Sequence, residues 1–175
     1  MENSPTIKST AFTYGLVSGV ISIIMLVLIY VLNITDTNYY LAILSFSLSI
    51  LIYFFGLKDF KSKNNGFISL TDALKVGLAI AVIGGLIAAV YTYVHYSFVY
   101  PEFLEITLEK TQQEMLDSNS SMSDAQMEQA LAISRKMVSP FAQATFSLVG
   151  SIFFGFIISL VIGLIIKKKN PALEG

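Results

Sequence analysis

The sequence lacks cysteine altogether and has a single histidine, His95, among its 175 residues. Without cysteine the chain can form no disulfide, no iron–sulfur cluster and no cysteine-ligated zinc site. One histidine is too few for a histidine-rich metal site. We also find no GxSxG, HExxH, Walker or dinucleotide-binding motif. The sequence therefore predicts no enzyme activity, no metal or other cofactor, and no nucleic-acid partner.

Charge is scarce as well. Charged residues make up 13% of the chain and hydrophobic residues 54%, whereas charged residues are about a quarter of a typical soluble domain. The mean hydropathy is +0.69. So much apolar surface indicates contact with lipid, and the length of the chain indicates one domain.

Four uncharged stretches contain most of the apolar residues, at positions 11–32, 39–57, 76–100 and 141–166. An α-helix needs about 20 residues to cross the roughly 30 Å of hydrocarbon in a bilayer. Helices are expected because a spanning segment must satisfy its own backbone hydrogen bonds, and the alternation typical of barrel strands is absent. The pattern predicts an all-α membrane protein with a bundle of four transmembrane helices.

The basic residues indicate the orientation of these spans. If the chain crosses four times, eight of its eleven Lys and Arg residues lie on one side. They are Lys8 in the 1–10 segment, Lys58, Lys61, Lys63 and Lys75 in the 58–75 loop, and Lys167, Lys168 and Lys169 in the 167–175 tail. The positive-inside rule then predicts that both termini and the 58–75 loop are cytoplasmic, and that the acidic 101–140 segment lies on the other side.

Small residues recur at every fourth position in three of the spans, which places them along one stripe of each helix. The stripes are Gly15 and Gly19; Gly77, Ala81, Gly85 and Ala89; and Ser147, Ser151, Gly155, Ser159 and Gly163. Close backbone approach along such stripes is what holds membrane helices together, so we interpret them as packing surfaces. The alternative is that Gly84 and Gly85 form a hinge or line a pore.

The 101–140 segment has its own helical pattern. Apolar residues fall at helical spacing in two groups, Leu104, Leu108 and Met115 in one and Met127, Ala130, Ile133 and Met137 in the other. Residues 118–121 read as a turn, and Ser123 with Gln126 predicts a capping box at the start of the second helix. We expect a helical hairpin that pairs Leu104 with Met137 and Leu108 with Ile133. The hairpin is either a solvated connector or a docking surface for a partner.

Among the Asp, Glu, Lys, Arg and His residues, only His95 lies within the four spans. Counted outward from Gly77, it falls near the headgroup boundary, among Tyr91, Tyr93, Tyr96 and Tyr100. It is either an interfacial histidine or a pH-sensitive or ligand-contacting one.

The sequence around the third span contains short segments that serve as landmarks for comparison with known families. Ser69 followed by Asp72 predicts a helix cap. Three short segments lie near this cap or after the span: Gly66-Phe67-Ile68-Ser69, Ala73-Leu74-Lys75-Val76-Gly77 and Tyr100-Pro101-Glu102-Phe103. These landmarks, with four spans and an acidic segment before the last, resemble the small bacterial membrane proteins of the domain of unknown function 4199 family over essentially the whole chain. The resemblance implies a location in the bacterial cytoplasmic (inner) membrane. It transfers no activity and no catalytic residues.

The residues leave three functions open. The leading hypothesis is a non-enzymatic accessory or scaffold subunit that contacts another membrane or envelope protein through the 101–140 hairpin or a bundle face. The second is an oligomeric channel or transporter component for small solutes. It would be favoured by a water-filled cavity lined by Ser45, Ser49, Ser147 and Ser151.

The third hypothesis is an intramembrane enzyme. It requires His95 to face a cleft together with carboxylates such as Glu102 or Glu105.

The orientation can be tested with single cysteines at Ser62 and Ser120, because the chain has no cysteine of its own. A membrane-impermeant thiol reagent applied to intact cells or spheroplasts should label position 120 and spare position 62. Labelling of position 62 alone would reverse the orientation.

Overall fold

The computed structural model describes residues 7–34, 38–117 and 123–168, and in these ranges the chain is helical and has no β-strand. The helices are α1 (Ile7–Val31), α2 (Tyr39–Lys63), α3 (Leu70–Val94), α4 (Phe103–Asp117), α5 (Asp124–Met137) and α6 (Pro140–Ile166), with a π-helical turn (His95–Val99) after α3. Helices α1, α2 and α6, and α3 with its π-turn, are long and apolar enough to cross a membrane. The predicted all-α fold with four such helices and a helical pair between the last two is confirmed.

Several predicted features lie outside the described residues. They are the turn at residues 118–121, the first six residues of the 1–10 segment, and the tail from Lys169 onward. The side of the membrane on which each loop lies stays a prediction.

The helices extend beyond their apolar runs. Helix α2 continues to Lys63 rather than ending at residue 57, and its last turns carry an ion pair of 2.6 Å between Lys63 Nζ and Asp59 Oδ2. Helix α3 begins at Leu70, six residues before the apolar run, because Ser69 and Asp72 form the predicted cap. The backbone N–H of Asp72 donates to Ser69 Oγ (3.1 Å), and Ser69 Oγ–H donates to Asp72 Oδ2 (2.6 Å). The capping box of Ser123 and Gln126 at the start of α5 is also confirmed.

The chain divides into two compact units, one of residues 1–88 and 148–175 and the other of residues 89–147. In the first unit, α1, α2, most of α3 and most of α6 pack as a bundle. The second unit contains the end of α3, the π-turn, α4, α5 and the start of α6.

Helix α3 is the most enclosed of the four long helices, since 50% of its most apolar window is buried, against 17 to 28% for the others. Its glycines face two different neighbours. A Cβ atom built on Gly84 would lie 2.9 Å from Ser18 Cβ of α1, and one on Gly85 would lie 2.9 Å from Ser151 Cβ of α6. Both glycines lie within an uninterrupted helix. Each therefore permits a backbone approach that a larger residue would prevent.

The largest buried side chains of the first unit lie around the connection between α2 and α3. Leu57, Ile68, Val76 and Ile80 are fully buried, and they belong to one apolar cluster with Tyr53. Gly66 ends the preceding turn with φ of 79°, a left-handed conformation that favours glycine. This turn places the side chain of Ile68 in the apolar cluster.

The same connection is bonded to the end of α6. The backbone N–H of Ile68 donates to the carbonyl of Lys168 (3.0 Å), and the N–H of Lys168 donates back to the carbonyl of Ile68 (2.9 Å). Lys61 Nζ donates to the carbonyl of Ile166 at 2.7 Å, where a cation is favoured by the negative end of the helix dipole. We call these three bonds the loop bridge. It joins residues about a hundred positions apart in sequence.

Gly155 and Gly150 provide a matched test of packing in α6. A Cβ atom on Gly155 would collide with the Tyr53 hydroxyl and with Ala81 Cβ, whereas one on Gly150 would meet no atom within 4 Å. We expect Gly155→Leu to lower the melting temperature in detergent strongly, through overpacking of about 1–3 kcal/mol or more. Gly150→Leu changes the same residue type in the same helix and should have little effect. Equal melting temperatures for the two variants would contradict the contact.

Candidate functional site

His95 occupies the first position of the π-helical turn that ends the third long helix. The backbone N–H of Tyr100 donates to the carbonyl of His95 at 2.8 Å, which closes the wide turn. Single π-turns are rare and are found frequently at functional sites. The sequence placed His95 among tyrosines but gave no signal for the change of helix type.

Aromatic rings surround the His95 side chain, which is 1% exposed. Its ring centroid lies 5.1 Å from that of Tyr96, 5.7 Å from that of Tyr91 and 6.4 Å from that of Tyr100. Phe103, the first residue of α4, stacks on Tyr96 at 4.3 Å and lies 5.9 Å from Tyr100. We call these five residues the His95 cluster. Because edge-to-face and offset rings attract one another, the cluster fixes the π-turn to the start of α4.

The chemistry of an imidazole includes proton transfer and metal ligation. Within residues 7–34, 38–117 and 123–168, no group of three His, Cys, Asp or Glu residues lies close enough to hold a metal ion. Glu102 and Glu105 are exposed, whereas His95 is enclosed by rings. The surroundings of His95 are thus those of a packed aromatic core.

The hairpin of α4 and α5 is the second feature of this unit. Leu104, Leu108 and Met115 lie on the less exposed face of α4, as predicted. On α5 the predicted face is partly wrong, because Ile133 and Met137 are 53% and 55% exposed.

The less exposed residues of α5 are Met127, Ala130, Leu131 and Ser134. Leu131 takes the place that we predicted for Ile133, because it lies four positions after Met127 and completes the same helical stripe.

A groove runs between the two helices, with a volume of about 260 Å³. We call it the hairpin groove; it is lined by Glu105, Leu108, Glu109, Gln112, Leu131 and Arg135. Leu131 and Arg135 also line a neighbouring depression along α5, with Met127, Glu128, Ala132 and Lys136. The start of α4 therefore lies beside the end of α5, with leucines between them and charges at the margins.

The small residues that we proposed as packing surfaces in the first unit make close contacts with neighbouring helices. Gly15 and Gly19 of α1 face Ile83 and Ile87 of α3; Gly77 faces Ser159; Gly85 faces Ser151; Gly155 faces Ala81; and Gly163 faces Ala73. Ser151 Oγ–H donates to the carbonyl of Ala81 at 3.0 Å, a direct hydrogen bond between α6 and α3. In the second unit, Ala89 is buried and Ser147 is partly buried.

The four long apolar helices and the tight glycine contacts define a multi-pass α-helical membrane protein. The sequence profile of one family matches residues 13–168, and that family is described as protein of unknown function (DUF4199). The chain belongs to this family, which confirms the resemblance seen in its landmarks. No curated protein and no solved structure matches the chain.

Two substitutions at His95 distinguish the contribution of ring packing to stability from the contribution of the polar atoms of the imidazole. We expect His95→Ala to destabilise the protein by about 2–4 kcal/mol, because it removes a buried ring from the His95 cluster. His95→Phe keeps a ring and should recover most of the loss in melting temperature. The control is Tyr93→Ala, at a residue that is 47% exposed. If His95→Phe is as unstable as His95→Ala, the polar atoms of the imidazole are essential, and a ligand-contacting or pH-sensitive role is favoured over stacking.

Proposed function

We propose that this protein is a non-enzymatic accessory or scaffold subunit of the bacterial cytoplasmic membrane, which contacts another membrane or envelope protein through its hairpin. One observation carries the proposal. Ile133 and Met137 lie four positions apart on α5, so they share one side of the helix, and each is more than half exposed. An exposed apolar pair on one side of a helix is a suitable anchor for a partner.

Two of the four serines proposed to line a channel have hydroxyls that are bonded to backbone. Ser49 Oγ–H donates to the carbonyl of Ser45 at 2.9 Å, and Ser151 Oγ–H donates to the carbonyl of Ala81. A hydroxyl that is bonded to backbone in this way has used its proton, so it offers a passing solute only acceptor lone pairs.

The enclosure of His95 supports a non-enzymatic role. A general base must lie within hydrogen-bond reach of a substrate proton, and the ring of His95 is covered by Tyr91, Tyr96 and Tyr100. The carboxylates that could assist it, Glu102 and Glu105, are exposed.

Site-specific photocrosslinking tests the proposal. A photoreactive amino acid at Ile133 or Met137 in the full chain, expressed in its own cells, should form one dominant adduct with a different protein. The same amino acid at Gln113, an exposed polar position of α4, is the control and should give little of that adduct. Ile133→Asp should reduce recovery of the partner at least severalfold, since it places a charge in an apolar contact. Adducts with lipid or with a second copy alone would contradict the proposal.

A further inference from the structure

We propose that the hairpin groove is a dimerisation surface, and that its occupant is the hairpin of a second copy of this chain. The two helices bury little between themselves, since α4 has no buried residue along its 15 positions. Leu108 and Leu131 line the groove, and Met127 lines the adjacent depression. Helices of this length are marginally stable without packing. A second hairpin laid on the groove would cover these side chains and complete a four-helix arrangement.

The charges along the groove differ between its two sides. Glu105 and Glu109 of α4 lie on one side, and Arg135 of α5 lies on the other, followed by Lys136 in the neighbouring depression. Among the described residues no ion pair joins either glutamate to Arg135. The hairpin thus presents an acidic helix and a basic helix end side by side.

Two-fold symmetry makes this surface complementary to itself. If two hairpins face each other across an axis that runs along their helices, α4 of one copy lies opposite α5 of the other. The start of α4 and the end of α5 lie at the same end of the hairpin, so Glu105 and Glu109 of one copy meet Arg135 and Lys136 of the other. The same contact is made twice, as an isologous interface requires. A partner unrelated in sequence would have to supply both charge patterns.

The surface belongs to a different part of the hairpin from the one in the proposed function. Leu131 and Arg135 face the groove, whereas Ile133 and Met137 lie on other sides of α5 because of the 100° rotation per residue of an α-helix. A dimer would leave both copies of Ile133 available. The proposed dimer and the proposed contact with another protein therefore use different surfaces and can be tested separately.

Complementary charge reversal tests the dimer in the full chain, reconstituted in lipid vesicles. One variant carries Glu105→Lys and Glu109→Lys, and the other carries Arg135→Glu and Lys136→Glu. Each variant alone opposes like charges at both symmetric contacts, so its dimerisation should be weakened by about tenfold or more. A mixture of the two restores opposite charges at every contact. Differently tagged copies should then co-purify as a heterodimer with an affinity near that of the wild type.

The control variant is Glu114→Lys with Asp117→Lys, which makes the same change in net charge on the same helix, away from the groove. It should dimerise like the wild type. Combining all four substitutions in one chain should also restore the homodimer. Recovery of the heterodimer in the mixture shows that each weakened variant had folded, because each chain in the mixture keeps its own substitutions. The proposal fails if the wild-type protein stays monomeric at high protein-to-lipid ratios, or if the mixture dimerises no better than either variant alone. Neither result would affect the crosslink from Ile133 to another protein.

Discussion

The structure of the first unit depends on how closely helix backbones can approach inside lipid. Apolar side chains gain nothing by leaving lipid for one another, so association has to come from dispersion over short distances and from hydrogen bonds between helices. Such short distances between helices occur at Gly15, Gly77, Gly85 and Gly155, which have no side chain to keep the neighbouring helix away. The hydrogen bond from Ser151 to the carbonyl of Ala81 is available only because α3 and α6 approach at such points. Helix α3 is central because it carries small residues on two sides.

The sequence predicts the parts of the fold that depend on composition and local bonding. Four spans follow from uncharged runs, and the caps at Ser69 and Ser123 follow from residue spacing, because each requires only neighbouring residues. Helix ends were less predictable. An apolar run marks the part of a helix that suits lipid, and α2 continues past it to Lys63 because Asp59 and Lys63 support another helical turn in water.

Features that depend on distant residues could not be predicted. The loop bridge joins Ile68 to Lys168 through backbone groups, and backbone groups carry no sequence signal. In α5, the spacing of Met127, Ala130, Ile133 and Met137 was compatible with one apolar face, but Leu131 fits a second face that overlaps the first. The choice between two such faces is made by the partner helix, through residues such as Leu108. The burial of His95 had no signal beyond the tyrosines near it.

The loop bridge also constrains the order in which the chain can assemble. Ile68 is fully buried, and its backbone bonds end on Lys168. During synthesis the first three long helices can enter the membrane while the far partner of this loop is still inside the ribosome. The connection between α2 and α3 therefore cannot form these backbone bonds until the last span has been made. In this protein the connection between α2 and α3 can be completed only after translation has passed α6, the fourth long helix.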